Sequence, residues 1–364
     1  MLSSRLMSSV RLALVGLGSI AVGHYLPQIA TFPDAEVVAV CDVREDWARE
    51  QAGLFGIPRV FTDFDRMLAE THFDALVNTA SIPAHFPLNL KALRAGKHVY
   101  SQKPFASTVE EATILIDEAA GRGLKMSVSP IHMLRPEVQE MRRLVQGGAI
   151  GKVSLVRCRS SHGGPEYFQY RDADPTWFFQ EGGGPLLDMG VHGLHQVTGI
   201  LGPAKSVTCL SGISETVRVV RSGAFDGKEI RPEVDDNTLI MLDFGQATFA
   251  VVDSSYCVKA ARGPGLEIYG SAGSIVATRR ASEGDPPFEI YRDDRAAGVR
   301  GWTSPILRLG RVTQAVGVAD LVDAIRNDRR PVLTPEHARH VIEIMNKCLP
   351  AAREGRALPL ETTF

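Results

Sequence analysis

The chain has 364 residues, of which 44% are hydrophobic, 23% charged and 7% aromatic, which suits two folded domains at ~150 residues each and excludes a disordered polar chain. Forty Lys and Arg against 42 Asp and Glu leave a formal net charge of −2, without the basic footprint of a nucleic-acid binder. No run of ~18 apolar residues is present, which excludes a membrane-crossing helix.

Short apolar strands are predicted over Val10 to Val15, Val37 to Cys41, Asp74 to Thr79, Lys97 to Tyr100 and Lys125 to Val128. Helical patterns lie between them, over Ile20 to Phe32, Arg44 to Phe55, Phe64 to Ala69, Pro87 to Ala95 and Thr108 to Gly121. This alternation predicts an α/β domain over residues 1–130, a doubly wound parallel sheet with helices on both faces. Gly96 and Gly121 stand where helix C-caps belong. Past residue 130 longer strands take over: Lys152 to Ser160, Lys205 to Ile213, Asn237 to Phe244, Ala247 to Ser254 and Leu266 to Tyr269. Hairpin turns at Phe244-Gly245-Gln246-Ala247 and Ser271-Ala272-Gly273-Ser274 make this an α+β domain, 131–364, with a large, mostly antiparallel open sheet. The polar stretch Ser282 to Ser304 is expected to be a long loop. Helices are expected at Val312 to Arg326 and Pro335 to Arg353, where they can pack back on the first domain. The opening MLSSRLMSS is too short and polar for a secretory signal. Five scattered cysteines, Cys41, Cys158, Cys209, Cys257 and Cys348, show no CxxC or Cys/His cluster, so no metal is expected. They read as reduced core thiols of a cytoplasmic protein.

Gly16-Leu17-Gly18-Ser19-Ile20-Ala21 fits GxGxxG/A directly after the first strand. Gly16 permits a tight turn, Gly18 lets backbone approach a pyrophosphate, and Ala21 lets the helix lie close to the sheet. Alone, the motif is equally an ordinary strand–helix turn. Asp42, ending the second strand, adds the carboxylate that accepts hydrogen bonds from the adenosine ribose. Its charge repels a 2′-phosphate and favours NAD, whereas Arg44 could reach such a phosphate and keeps NADP open.

Two further sites carry chemistry. Lys103, in Ser101-Gln102-Lys103-Pro104, follows a strand at the ligand-binding edge, where its charge would polarise a substrate oxygen; it is otherwise a solvated loop residue. Asp188 and His192 lie at i, i+4 within Gly182-Gly183-Gly184-Pro185-Leu186-Leu187-Asp188-Met189-Gly190-Val191-His192, on one helix face with His195. Such a pair can form a general base with its orienting carboxylate, or simply anchor a helix. Tyr167, Tyr170 and Trp177 could stack on a sugar ring or fill a core. His132 and Arg135 start the second domain as substrate contacts or hinge residues. His85 stands near the expected nicotinamide or only opens a helix. Asp235 and Asp236 lack a third ligand and read as a strand start.

Together these motifs resemble the glucose–fructose oxidoreductase / inositol dehydrogenase / MocA family of NAD(P)-dependent enzymes. The likeness runs through GLGSIA, DALVNTASIPAH (74–85), ALRAGKHVYSQKP (92–104), GGAIGKV (147–153) and GGGPLLDMGVH (182–192). It implies a Rossmann domain followed by a domain whose open sheet serves oligomerisation, as a homodimer or homotetramer. It also implies a sugar or cyclitol substrate, with Lys103, Asp188 and His192 as catalytic residues. The implied cofactor residues are Gly16, Gly18, Ser19, Ile20, Asp42, Arg44, Ala80, Ser81, His85, Gln102 and Lys103; His132, Trp177, Asp188 and His192 are the implied substrate contacts. Two departures stand out: Gln102 replaces the family's Glu, and Ala80-Ser81 replaces its Thr-Pro. The expected function is hydride transfer between nicotinamide and a secondary hydroxyl or ketone of a sugar, glycoside or cyclitol. The alternatives are redox-assisted glycoside cleavage and a non-catalytic NAD(P)-binding regulator.

Overall fold

Strand β1 (Val10–Val15) is buried except at Arg11, as a central strand covered on both faces must be. In the computed structural model, which describes residues 9–168, 173–278, 285–294, 296–307 and 312–364, the chain then alternates strand and helix. The succession is α1 (Leu26–Ile29), β2 (Ala35–Cys41), α2 (Glu45–Phe55), β3 (Arg59–Phe61), α3 (Phe64–Glu70), β4 (Ala75–Asn78), α4 (Ile82–Arg94), β5 (His98–Ser101), α5 (Val109–Gly121) and β6 (Met126–Val128). The strands pair in the order β3-β2-β1-β4-β5-β6, all parallel. The order reverses between β1 and β4, and at such a switch point the carboxyl ends of the strands open a crevice.

The second unit begins at Arg135 with α6 (Pro136–Gln146), β7 (Val153–Arg159), α7 (Val191–Leu201) and β8 (Ser206–Gly212). A small ribbon of β9 (Arg218–Val219) and β10 (Glu229–Ile230) comes next, then β11 (Asn237–Gly245), β12 (Thr248–Ser255), β13 (Leu266–Gly270), β14 (Gly273–Ala277), β15 (Phe288–Asp294) and β16 (Val299–Thr303). Helix α8 (Val316–Arg326) packs on β5 and β6 of the first unit. Helix α9 (Pro335–Glu354) starts in the first unit and ends in the second, and β17 (Leu358–Pro359) closes the large sheet. That sheet has nine strands, β16-β15-β14-β13-β7-β12-β11-β8-β17, antiparallel throughout except for the parallel pair β7–β12. One face buries Val207, Cys209, Ile240, Leu242, Ala250 and Val252, with α7 lying on β7 and β12. The alternate residues Leu210, Leu239, Met241 and Phe249 are exposed on the other face, as the period of two requires.

Several sequence expectations need correction. The helix expected from Ile20 to Phe32 is a wide π turn, Ala21–Tyr25, continued by the short α1. α4 starts at Ile82 rather than Pro87, because Pro83 occupies the first turn, where no N–H is needed. Gly121 stays inside α5, and Gly123, at φ 65°, takes the left-handed position after it. The helix expected from Val312 begins at Val316. The stretch 282–304 is not a loop throughout: β15 and β16 form a hairpin within it, with Phe288 and Ile290 buried on alternate positions.

Candidate active site

The glycine loop, Asp42, Ala80-Ser81 and Gln102-Lys103 all follow the carboxyl ends of β1, β2, β4 and β5. Gly16 has φ +83°, and a Cβ there would lie 2.4 Å from the Cα of Ala80, so no side chain fits. Its N–H donates to the Cys41 carbonyl at 2.9 Å, and its carbonyl accepts from Thr79 Oγ1 at 2.7 Å. These bonds lash three strand ends together. Gly18 faces open space and Ser19 is exposed. The N–H groups of Ala21 and Val22 both turn back to the Gly18 carbonyl, at 2.9 and 3.1 Å. An open loop of this kind, leading into a helical turn, fits a pyrophosphate.

Asp42 is 8% exposed. Its Oδ2 accepts the Leu17 N–H at 2.7 Å and Arg44 Nη2 at 3.2 Å, and its Oδ1 accepts the N–H and Nε of Arg44, each at 3.0 Å. A carboxylate offers about four lone-pair positions, so any further donor to Asp42 would have to displace the side chain of Arg44. That side chain is 57% exposed, lies over the Trp47 ring and also donates to the Leu17 carbonyl at 3.2 Å. Burial works to raise the Asp42 carboxyl, but the bonds from Arg44 and Leu17 outweigh it and hold its pKa below the ordinary value.

Gln102 is buried. Its Oε1 accepts the Lys103 N–H at 3.1 Å, and its Nε2 donates to the Tyr25 hydroxyl at 2.6 Å, which lies 3.0 Å from that of Tyr100. A carboxylate at this position would have no hydrogen to give Tyr25. The amide thus fixes the turn that presents Lys103, which is half-buried. His85 is buried, with Nδ1 2.6 Å from the Pro104 carbonyl and Nε2 3.0 Å from that of Ala80. Burial, with the nearby Lys103 charge, holds its pKa down against the pull of those carbonyls. The neutral ring has one proton, and the shorter contact assigns it to Nδ1. His85 staples the two loops to each other.

In the second unit a π turn, Leu186–Gly190, runs into α7 and carries Asp188 and His192. Gly182 and Gly184 enter it at φ 82° and 90°, and a Cβ at Gly193 would press within 2.8 Å of Val252 and 2.9 Å of Ser160. Small residues therefore seat this helix directly on β7 and β12. Asp188 is 9% exposed, His192 half-buried and His195 buried. Tyr256 donates to Asp188 Oδ2 at 3.2 Å, and His162 Nε2 stands 3.9 Å from the same oxygen. Sequence reasoning found neither. Both come from strand ends far from Asp188 in the chain, and no local spacing signals them.

Among the other candidates, Trp177 is 40% exposed and stacks on Phe178. Tyr167 lies under the Arg221 guanidinium, and Tyr170 is outside the described residues. His132 sits half-buried in a 3-10 turn of the first unit, while Arg135 pairs with Glu137 at 3.7 Å in the second. Asp236 is a buried partner of Arg218. Among the described residues no group of His, Cys, Asp and Glu could hold a metal ion.

Residues 10–129 match the family described as oxidoreductase family, NAD-binding Rossmann fold, and residues 138–276 match the GFO/IDH/MocA C-terminal domain. The chain is 32% identical to D-glucoside 3-dehydrogenase of Escherichia coli (strain K12) over 58% of its own length and 60% of that protein. It is 29% identical to dTDP-3,4-didehydro-2,6-dideoxy-alpha-D-glucose 3-reductase of Streptomyces violaceoruber, over 80% of this chain and 79% of that one. An oxidoreductase from Agrobacterium radiobacter, solved with NAD+, L-tartaric acid and magnesium, shares the fold at a TM-score of 0.77 and 20% identity, across 97% of this chain and 98% of that chain. With both units matched in order, the chain belongs to the GFO/IDH/MocA family of NAD-binding oxidoreductases.

Proposed function

We propose that the protein moves a hydride between NAD and a secondary hydroxyl or ketone of a sugar, glycoside or cyclitol. The observation that carries this reading is Asp188, a carboxylate almost fully buried beside Tyr256 and His162, four residues before the half-buried His192. A buried, oriented carboxylate near an imidazole is what general-base chemistry needs. The bound nicotinamide supplies the hydride acceptor or donor. The Gly16–Ser19 loop and Ile20 would cradle the pyrophosphate, and Asp42 would take the ribose in place of the Arg44 side chain. Ala80, Ser81, Gln102 and His85 shape the nicotinamide end.

His192 takes the hydroxyl proton on an imidazole nitrogen, Asp188 orients that ring and balances its charge, and the Lys103 ammonium stabilises the alkoxide. Trp177 and His132 contact the sugar. Two relatives are named for the 3-position of a glucose ring, which supports that carbon of a hexoside as the reacting one. The Asp42–Arg44 pair supports NAD with NADP as a second cofactor. The exposed apolar sheet face supports a homo-oligomer, and five free cysteines support a cytoplasmic setting.

The test is nicotinamide reduction across glucosides, free sugars and cyclitols by wild type, Lys103→Met and His192→Ala. The substitutions should cost about 10²–10⁴-fold in turnover while cofactor affinity, read by Trp47 fluorescence, holds. Full turnover in both variants, or no reduction of any compound by cofactor-loaded wild type, overturns the assignment.

A further inference from the structure

The turn that carries Asp188 is gripped from two strand ends at once. β7 and β12 run parallel to their last paired residues, Arg159 and Asp253, and the chain beyond each passes the π turn of Asp188. On one side Ser160 Oγ donates to the Met189 carbonyl and accepts the Gly193 N–H at 3.1 Å. On the other, Ser254 Oγ donates to the Pro185 carbonyl at 2.8 Å. Two residues further along each strand end come His162 and Tyr256, whose rings stack at 5.2 Å and 19°. The Gly164 N–H donates to His162 Nδ1 at 2.9 Å, so the neutral ring carries its proton on Nε2, the atom facing Asp188.

Tyr256 is itself locked. It is wholly buried, its N–H donates to the Asp236 carbonyl at 2.9 Å, and its own carbonyl accepts from Arg218 Nη1 at 3.3 Å. Phe178 and Phe179 meet its ring edge-on at 6.5 and 5.5 Å. A phenol held this tightly from backbone and ring has little freedom to follow the carboxylate; the carboxylate must follow it.

We propose that Tyr256 is a positioning residue of the active site: its hydroxyl, with the His162 ring stacked beside it, holds Asp188 Oδ2 and thereby aims the carboxylate at His192. This rests on the reading of Asp188 and His192 as the working pair. The role is through Asp188, not on the substrate.

The experiment is a double-mutant cycle on the NAD-loaded full chain, with Tyr256→Phe, Asp188→Asn and the pair, folding being checked by circular dichroism. Loss of one hydrogen bond to a charged group predicts about a 10- to 100-fold fall in kcat for Tyr256→Phe, with sugar KM changed by less than about threefold. The pair should be no slower than Asp188→Asn alone, since Tyr256 then has nothing to aim. Multiplying losses, or a Tyr256→Phe defect confined to KM, would put Tyr256 on the substrate and overturn the proposal. Wild-type turnover in Tyr256→Phe with loss in Asp188→Asn overturns it alone. Wild-type turnover in Asp188→Asn overturns the functional reading beneath it.

Discussion

Arg218 has no solvent-exposed side-chain surface, and its guanidinium is paired with Glu166 at 2.6 Å and Asp236 at 2.7 Å. It also donates to the Cys257 sulfur at 3.2 Å and lies over the Phe179 ring. Taking such a charge out of water costs several kcal/mol, and only near-complete pairing offsets it. Asp236 has further donors in the Ser214 and Glu215 N–H groups, at 2.6 and 3.1 Å. For Glu166 burial pushes the carboxyl up more than Arg218 pulls it down, so it is the less well compensated partner. Arg218→Met should therefore cost about 3–5 kcal/mol in urea unfolding by stranding two buried carboxylates. Glu166→Gln should cost clearly less, since Asp236 still pairs with the guanidinium. Equal losses for the two substitutions would contradict this ordering.

At the scale of elements, Glu343 of α9 ties down the C-terminal tail. It accepts from Lys347 Nζ at 2.7 Å, from the Glu361 and Thr362 N–H groups at 2.8 Å each, and from Thr362 Oγ1 at 2.5 Å. The tail so held lays β17 along β8 and covers that edge of the sheet. Burial would raise the Glu343 carboxyl, but these donors prevail and take its pKa to about 2. A depressed carboxylate contributes stability that is complete above its unfolded pKa, about 4.3, and is lost as pH falls through the folded value. The Tm difference between wild type and Glu343→Gln should thus be constant above pH ~5 and shrink toward pH ~2; a gap independent of pH would refute the tie. Most elements were legible in the sequence because their patterns are local. The edge strand β3 was not, at three residues. The β15–β16 hairpin was hidden because only Phe288 and Ile290 mark its buried face within a run of Arg and Asp. The glycine loop, Asp42 and the Lys103 turn were legible because each follows its own strand. Tyr256 and His162 were not, because only the pairing of β7 with β12 brings them to Asp188.

For the whole molecule, the open sheet face is the surface on which the proposed homo-oligomer rests. Leu239 stands directly across from Leu210, and Met241 and Phe249 lie on the same side of neighbouring strands. An exposed apolar patch of this kind marks a surface where a partner docks, and in the proposed homo-oligomer that partner is a second copy. Leu210→Glu with Met241→Lys should lower the sedimentation coefficient to that of a monomer while cofactor binding persists; an unchanged coefficient would place the interface elsewhere. The two wide turns, Ala21–Tyr25 and Leu186–Gly190, bear on how such a chain changes over generations. Each is a helix with one residue more than a regular turn holds. Loss of a single codon inside either one lets an ordinary helix reform with its two flanks nearly in phase, because the wide turn takes one residue more for almost the same sweep. In the second unit Gly193 would keep its seat on Ser160 while the turn that carries Asp188 became one residue shorter. The wide turns are thus places where the chain can gain or lose one residue without shifting the packing on either side of them.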